Sequence, residues 1–180
     1  MKTLKFIFMM SAVIMLASCD SKKEKYDPYA ISGENNKPVV SKSSFEVPYK
    51  KTESNLMTVH VNLNGKNSYD AIFDTGCSGG VSISTLEALD FDKSGTLDDV
   101  ELISTATSTL ADGSEREVVV YELKSLTITD KNGQEHTLTN VPVIIEENLN
   151  ADIIIGASVI NNLAKNSYTV DLKKQVIRFE

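Results

Sequence analysis

The run Ala71-Ile72-Phe73-Asp74-Thr75-Gly76-Cys77-Ser78-Gly79-Gly80 limits what this chain can fold into more than any other stretch. Three apolar residues lead directly into a carboxylate, a hydroxyl and a glycine. A buried strand that ends on an ionisable group needs that group hydrogen-bonded or put to chemical use. The glycines that follow let the backbone come close to a ligand or to a second chain. The rest of the sequence reads as a frame that holds Asp74 at the end of its strand.

That frame is mostly β. Leu56 to Leu63 alternates, with Val59, Val61 and Leu63 on one face and Thr58, His60 and Asn62 on the other, the pattern of a half-buried strand. Asn64-Gly65 is a hairpin turn, because both residue types tolerate positive φ, and Tyr69 to Phe73 is the returning strand. Val81-Ser82-Ile83 is a further short strand. Ser84-Thr85-Leu86-Glu87 fits a capping box that opens a short helix ending near Leu89, and Asp90 to Asp99 reads as loop. Val100 to Leu110 and Glu115 to Ile128 form a long hairpin with a small tip, Ala111-Asp112-Gly113-Ser114. Lys131-Asn132-Gly133-Gln134 turns into a strand over Glu135 to Ile145, in which Pro142 marks an edge or an irregularity. Asp152 to Gly156 is an apolar strand closed by glycine, and Ala157 to Leu163 a helix. Ser167 to Leu172 and Gln175 to Phe179 form a last hairpin over Lys173-Lys174. The domain is mainly β with two short helices and no βαβ spacing.

One internal echo stands out. Asp152-Ile153-Ile154-Ile155-Gly156-Ala157-Ser158 repeats the design of the Asp74 run, an apolar strand into small residues and then a helix, but has no carboxylate in the place of Asp74. Taken with the rest of the pattern, Phe73-Asp74-Thr75-Gly76, Val81-Ser82-Ile83-Ser84, the tip Ala111-Asp112-Gly113, Ile154-Ile155-Gly156 and Tyr168-Thr169-Val170-Asp171 make the chain from about Leu56 to Phe179 resemble the retropepsin-like, single-domain aspartic proteases. The resemblance implies a closed acid-protease β-barrel with one or two short helices and a flap hairpin. It implies an aspartic-type endopeptidase acting on peptide or protein substrates without metal or other cofactor. Asp74, Thr75 and Gly76 would be the catalytic loop, with Thr75 bonding across the dyad and Gly76 giving space and an amide. Ser78 and Gly79 would border the substrate backbone, and Ala111, Asp112 and Gly113 would form the flap tip.

Two adjacent carboxylates that share one proton can act as base and acid together, because like charges so close cannot both ionise. The chain carries a single Asp-Thr-Gly. If the chain works as an aspartic protease, the second carboxylate must come from another copy, in a symmetric homodimer. The alternative is a non-catalytic peptide-binding or assembly protein on the same fold, since fold does not establish function. Cys77 departs from the family, which commonly has alanine, serine or threonine there. A cysteine-nucleophile reading would need a basic partner. The two histidines are His60, on the polar face of its strand, and His136, after a turn, and both are expected to be exposed. Neither has metal-ligand spacing.

The N-terminus reads as an address. Lys2 and Lys5 precede an apolar run, Phe6 to Leu16, that is too short to span a bilayer. Leu16-Ala17-Ser18-Cys19 resembles a bacterial lipobox, which implies a signal peptide over residues 1–18 and lipidation of Cys19. With Cys19 carrying lipid, Cys77 has no partner within the chain for a disulfide. Residues 19–44 are polar and rich in breakers (Asp27-Pro28, Gly33, Asn35, Asn36, Pro38) and read as a flexible tether, although Val39 to Val47 could also add an edge strand. The folded domain spans residues 45–180. The implied location is the bacterial cell envelope, lipid-anchored to a membrane, periplasmic or surface-exposed. Lysines after Cys19 resemble one sorting signal and Asp20 resembles another. The net charge of −7 argues against nucleic acid as a partner.

Overall fold

Strands β2 (Met57–Leu63) and β3 (Asn67–Phe73) form the hairpin that the alternation predicts, turning through Asn64 and Gly65 with φ of 53° and 66°. They belong to a computed structural model that describes residues 44–96, 100–109, 113–147 and 151–180. The signal peptide, the tether up to residue 43, Cys19, Ala111 and Asp112 lie outside the described residues.

From β3 the sheet continues through the second arm of the echo. β8 (Ile153–Ile155) lies parallel to β3, with Ile72 opposite Ile154 and Phe73 opposite Ile155. β4 (Val81–Ser84) runs antiparallel to β8, and β7 (Glu135–Glu146) lies parallel to β4. β6 (Glu115–Thr129) pairs antiparallel with β7, and its far end returns to β2, where Leu126 faces Leu63 and Ile128 faces Val61. The ring β2-β3-β8-β4-β7-β6 is thus a closed six-stranded barrel. Closure leaves no free edge among these strands. Inward residues such as Val61, Leu63, Ile83, Leu123, Leu126 and Ile155 are completely or almost completely buried. Each supplies roughly 1.5–3 kcal/mol by leaving water.

Further strands extend the ring on both sides. β5 (Glu101–Thr109) pairs with β6 and makes the long hairpin. β1 (Phe45–Lys51) pairs with the first half of β2, β10 (Val176–Phe179) with β1, and β9 (Tyr168–Asp171) with β10. Helices α1 (Thr85–Lys93) and α2 (Ala157–Leu163) complete the fold. The fold is the mainly β barrel with short helices that the sequence predicts.

The structure corrects three local expectations. Helix α1 runs to Lys93, past Leu89, because Phe91 is buried against Tyr69 with ring centroids 4.2 Å apart. That packing outweighs the weak helix propensity of Asp90 and Asp92. His136 is fully buried: its ring stacks on Phe45 at 3.6 Å, and Nε2 faces Asp130 Oδ2 at 3.4 Å. It is covered because β1 lies over the start of β7, a contact between segments some ninety positions apart that local pattern does not reveal. Strand β1 begins at Phe45 and runs four residues beyond Val47 as a paired member of the sheet. His60, by contrast, is exposed as expected. It pairs with Asp70, and the hydrogen bond from His60, then that from Lys50, holds the Asp70 carboxyl below its usual range.

Pro142 sits where β7 is paired with β6 on one side and about to join β4 on the other, whose ladder opens one residue later at Val143. The irregularity lies two residues earlier, at Asn140, with φ of 53°.

Candidate active site

The strand that reaches Asp74 is fixed on both sides, by β2 and by β8, and Asp74 N donates to Ile155 O at 3.1 Å as the last link to β8. The chain then turns. Gly76 N donates to Asp74 Oδ1 at 2.8 Å, a local Asx-type bond that fixes the carboxylate at the strand end. Asp74 is half-buried, Thr75, Gly76 and Ser78 are exposed, Cys77 is half-buried, and Gly79 and Gly80 are buried.

The buried half of the loop is held by α2. The first amides of a helix have no intrahelical acceptor, and Gly156 at the N-cap has no side chain to supply one. The loop supplies them instead: Gly156 N donates to Gly80 O at 2.8 Å, Ala157 N to Cys77 O at 2.7 Å and Ser158 N to Gly79 O at 3.1 Å. The approach is so close that a Cβ on Gly156 would lie 2.4 Å from Gly79 O and 2.7 Å from Cys77 O. A Cβ on Gly80 would lie 2.2 Å from Pro142 O. The two arms of the sequence echo are therefore in direct contact: one carries the carboxylate, the other serves as its mount.

Beside the loop lies a cleft of ≈ 170 Å³, lined by residues 76–79, by residues 107–109 of β5 and by Ile144 and Glu146 of β7. Ser78 and Gly79 thus face the cleft, together with Cys77. Asp74 and Thr75 stand next to it, in the same loop. Gly113, with φ of 83°, is at the tip of the β5–β6 hairpin and does not line the cleft. Neither histidine lines the cleft beside Cys77. Among the described residues no three His, Cys, Asp or Glu side chains are grouped to hold a metal ion.

Three residues here escaped the reading of the sequence. Glu146 is buried at the end of β7, where Ser82 Oγ donates to its Oε1 at 2.9 Å and Arg116 forms an ion pair with its Oε2. A signal for Glu146 exists: Val141-Pro142-Val143-Ile144-Ile145-Glu146 is another apolar run ending on a carboxylate, the same pattern that singled out Asp74. Ser82 and Arg116 gave no such sign. At the root of the hairpin, burial and then the facing Glu101 push the Glu122 carboxyl upward.

A half-buried carboxylate with one oxygen fixed by an amide, beside an open cleft and an exposed Thr-Gly, can exchange a proton with a bound substrate or water. The family model described as aspartyl protease matches residues 59–159. No curated protein matches the chain. Among solved structures, a retropepsin-like aspartic protease from Rickettsia conorii shares the fold with a TM-score of 0.50 and 17% identity, over 77% of this chain and 94% of that one. Basic 7S globulin from soybean overlaps 77% of this chain and 42% of its own, with 13% identity and a TM-score of 0.45.

Proposed function

The chain belongs to the aspartyl protease family, and from that membership we propose that it is an aspartic-type endopeptidase whose catalytic dyad is formed by Asp74 from each of two copies. The observation that carries this reading is Asp74 itself: a single Asp-Thr-Gly, its carboxylate fixed by Gly76 N, with Thr75 and Gly76 exposed where a second copy could meet them. In such a dimer one carboxylate is ionised and takes a proton from water, which attacks the peptide carbonyl carbon. The protonated partner gives its proton to the carbonyl oxygen. The tetrahedral intermediate then collapses, and a proton passes to the leaving nitrogen. The pair titrates as a unit, so the active form is the one that shares a single proton. The β5–β6 hairpin acts as the flap that covers substrate and excludes water.

Anchoring at the cell envelope through Cys19 is part of the proposal, and rests on the lipobox-like Leu16-Ala17-Ser18-Cys19. Metabolic labelling with a fatty acid tests it: label is expected in the native chain and absent from Cys19→Ser.

Peptide cleavage at acidic pH tests the chemistry. Asp74→Asn is expected to abolish cleavage while the protein stays folded. Cleavage that survives this change would overturn the proposal. A second reading, a non-catalytic peptide-binding or assembly protein, draws on the fact that Gly156, which follows the Phe73–Ile155 pair, stands in the place of Asp74 in the second arm of the echo, so the chain alone has half a dyad. A protein that stays monomeric at all concentrations, with or without a pepstatin-like peptide, would favour it.

A further inference from the structure

The cleft beside the Asp-Thr-Gly loop has a charged residue in its lining that the chemistry above does not use. The Glu146 side chain is 9% exposed, yet it lines the cleft together with residues 76–79 of the loop. Its two oxygens are held from two directions, Oε1 by Ser82 Oγ at 2.9 Å and Oε2 by Arg116, which also donates from Nη1 to Glu147 O at 3.2 Å. The carboxylate is thus oriented by a hydroxyl and neutralised by a guanidinium. A carboxylate has about four lone-pair positions, of which these partners take two. Glu146 also lines, with Arg116, a neighbouring cavity of ≈ 410 Å³, and its remaining acceptor capacity is open to a donor that enters the cleft beside the loop.

That requirement selects among side chains. An aliphatic group would leave buried acceptors without a donor. An acid would meet like charge. A lysine or arginine would add a second cation to a site that Arg116 has already neutralised, and an unbalanced buried charge is costly. An amide or hydroxyl satisfies the acceptor and adds no charge. The hydroxyl-bearing Ser78, Thr107, Ser108 and Thr109 around the cleft suit the same guest.

Resting on the peptidase reading, we propose that Glu146 is a specificity-determining residue that selects an uncharged, hydrogen-bond-donating side chain (Asn, Gln, Ser or Thr) in the peptide substrate, with Arg116 and Ser82 as its positioning residues. Sites built to hydrogen-bond a substrate group reject analogues lacking it far more strongly than apolar pockets reject extra atoms.

The test compares subsite preference in a randomised peptide library for the full-length protein and for the double variant R116M/E146L, which removes both charges and so leaves no orphan ion. The native protein is expected to favour Gln over Leu at one subsite by about tenfold or more, and the double variant to favour Leu. Ser82→Ala, which deletes only a hydroxyl, is expected to narrow the Gln:Leu ratio without reversing it. A second arm measures binding of the same peptides to Asp74→Asn with and without R116M/E146L. Cleavage with an unchanged preference in the double variant overturns the specificity proposal and leaves the peptidase reading standing. Absence of cleavage with a binding preference that reverses does the opposite. A native preference for Leu, Arg or Glu at every subsite, or no peptide recognition in either arm, also overturns the specificity proposal.

Discussion

A carboxylate that is to share a proton has to be held in place without being consumed by its own surroundings. Asp74 meets this with one amide on one oxygen, and the amide belongs to Gly76. A Cβ at Gly76 would lie 3.1 Å from Asp74 Oδ1, close enough to displace the carboxylate by a few tenths of an ångström and no more. Gly76→Ala is therefore expected to lower cleavage at least about tenfold, because small misplacements of a reacting group are costly. The urea midpoint should scarcely move. Gly156→Ala and Gly80→Ala should behave differently, since there the new Cβ meets backbone at 2.4 Å and 2.2 Å. Overpacking of that kind costs about 1–3 kcal/mol, so both variants should lose stability and activity together. Assays of cleavage and urea unfolding on the three variants separate the two roles of glycine. Far from the loop, Glu46 gives a pH signature of its own. Hydrogen bonding to Lys131 and then to Arg178 lowers its carboxyl from 4.5 to about 2. A depressed carboxyl stabilises the fold above its unfolded value and loses that contribution as pH falls through the folded one. The stability gap between the native protein and Glu46→Gln should thus be constant above about pH 5 and close between about 4.5 and 2, as read by thermal unfolding. At the mildly acidic pH that suits a shared proton, this tie between β1, the β6–β7 turn and β10 remains mostly intact.

At the scale of elements, the telling contact is between the loop 74–80 and the first turn of α2. Three loop carbonyls accept from three consecutive amides, so helix and loop cap each other. Ala157→Pro isolates this contact. Proline is favoured in the first turn of a helix, and Gly156, with φ of −95° and ψ of −178°, already has the extended backbone that a following proline requires. What the variant loses is the 2.7 Å bond to Cys77 O, with ring atoms pressed against that carbonyl. Expected are an unchanged circular dichroism spectrum, a stability loss of about 1–3 kcal/mol from the carbonyl of half-buried Cys77 left unpaired, and loss of cleavage. The sequence revealed both arms of this contact, through their shared apolar-strand-to-glycine design, but gave no sign that they touch. Alternation and turn residues likewise identified β2, β3, β6, β7 and both helix starts, because each rests on local chemistry: Asn64-Gly65 for a turn, Ser84 for a cap, with Glu87 N donating to Ser84 Oγ at 3.1 Å. Features decided by distant packing were not legible. Phe91 prolongs α1 through Tyr69, β1 buries His136, and Arg116 finds Glu146 thirty positions away.

At the scale of the molecule, the barrel explains why the Asp74 loop can be rigid within one chain. β2 closes the ring through β6, while its other half extends the sheet to β1, β10 and β9, so the strand leading to Asp74 is braced from both sides, by β2 and by β8, within the single chain. Preorganisation of this kind lowers the ordering penalty of association but does not supply the second carboxylate. If the dyad is intermolecular, its activity must follow pair statistics. Mixing native protein with an equal amount of Asp74→Asn, under conditions where subunits exchange, leaves about a quarter of the dimers with two carboxylates. Cleavage should fall to about that fraction of the activity of the same total protein in native form, and further excess of the variant should reduce it steeply. A site complete within one chain would instead retain about half of the activity in the equal mixture, in proportion to the native chains present. The same contrast appears on dilution: rate per chain should fall as the dimer dissociates, and should stay constant if one Asp74 suffices. Sedimentation at the assay concentrations ties the kinetic curve to the population of dimers. Agreement of the two midpoints places the catalytic unit at two copies, whereas a rate per chain indifferent to dissociation sets aside the shared dyad and leaves Asp74 in some other role.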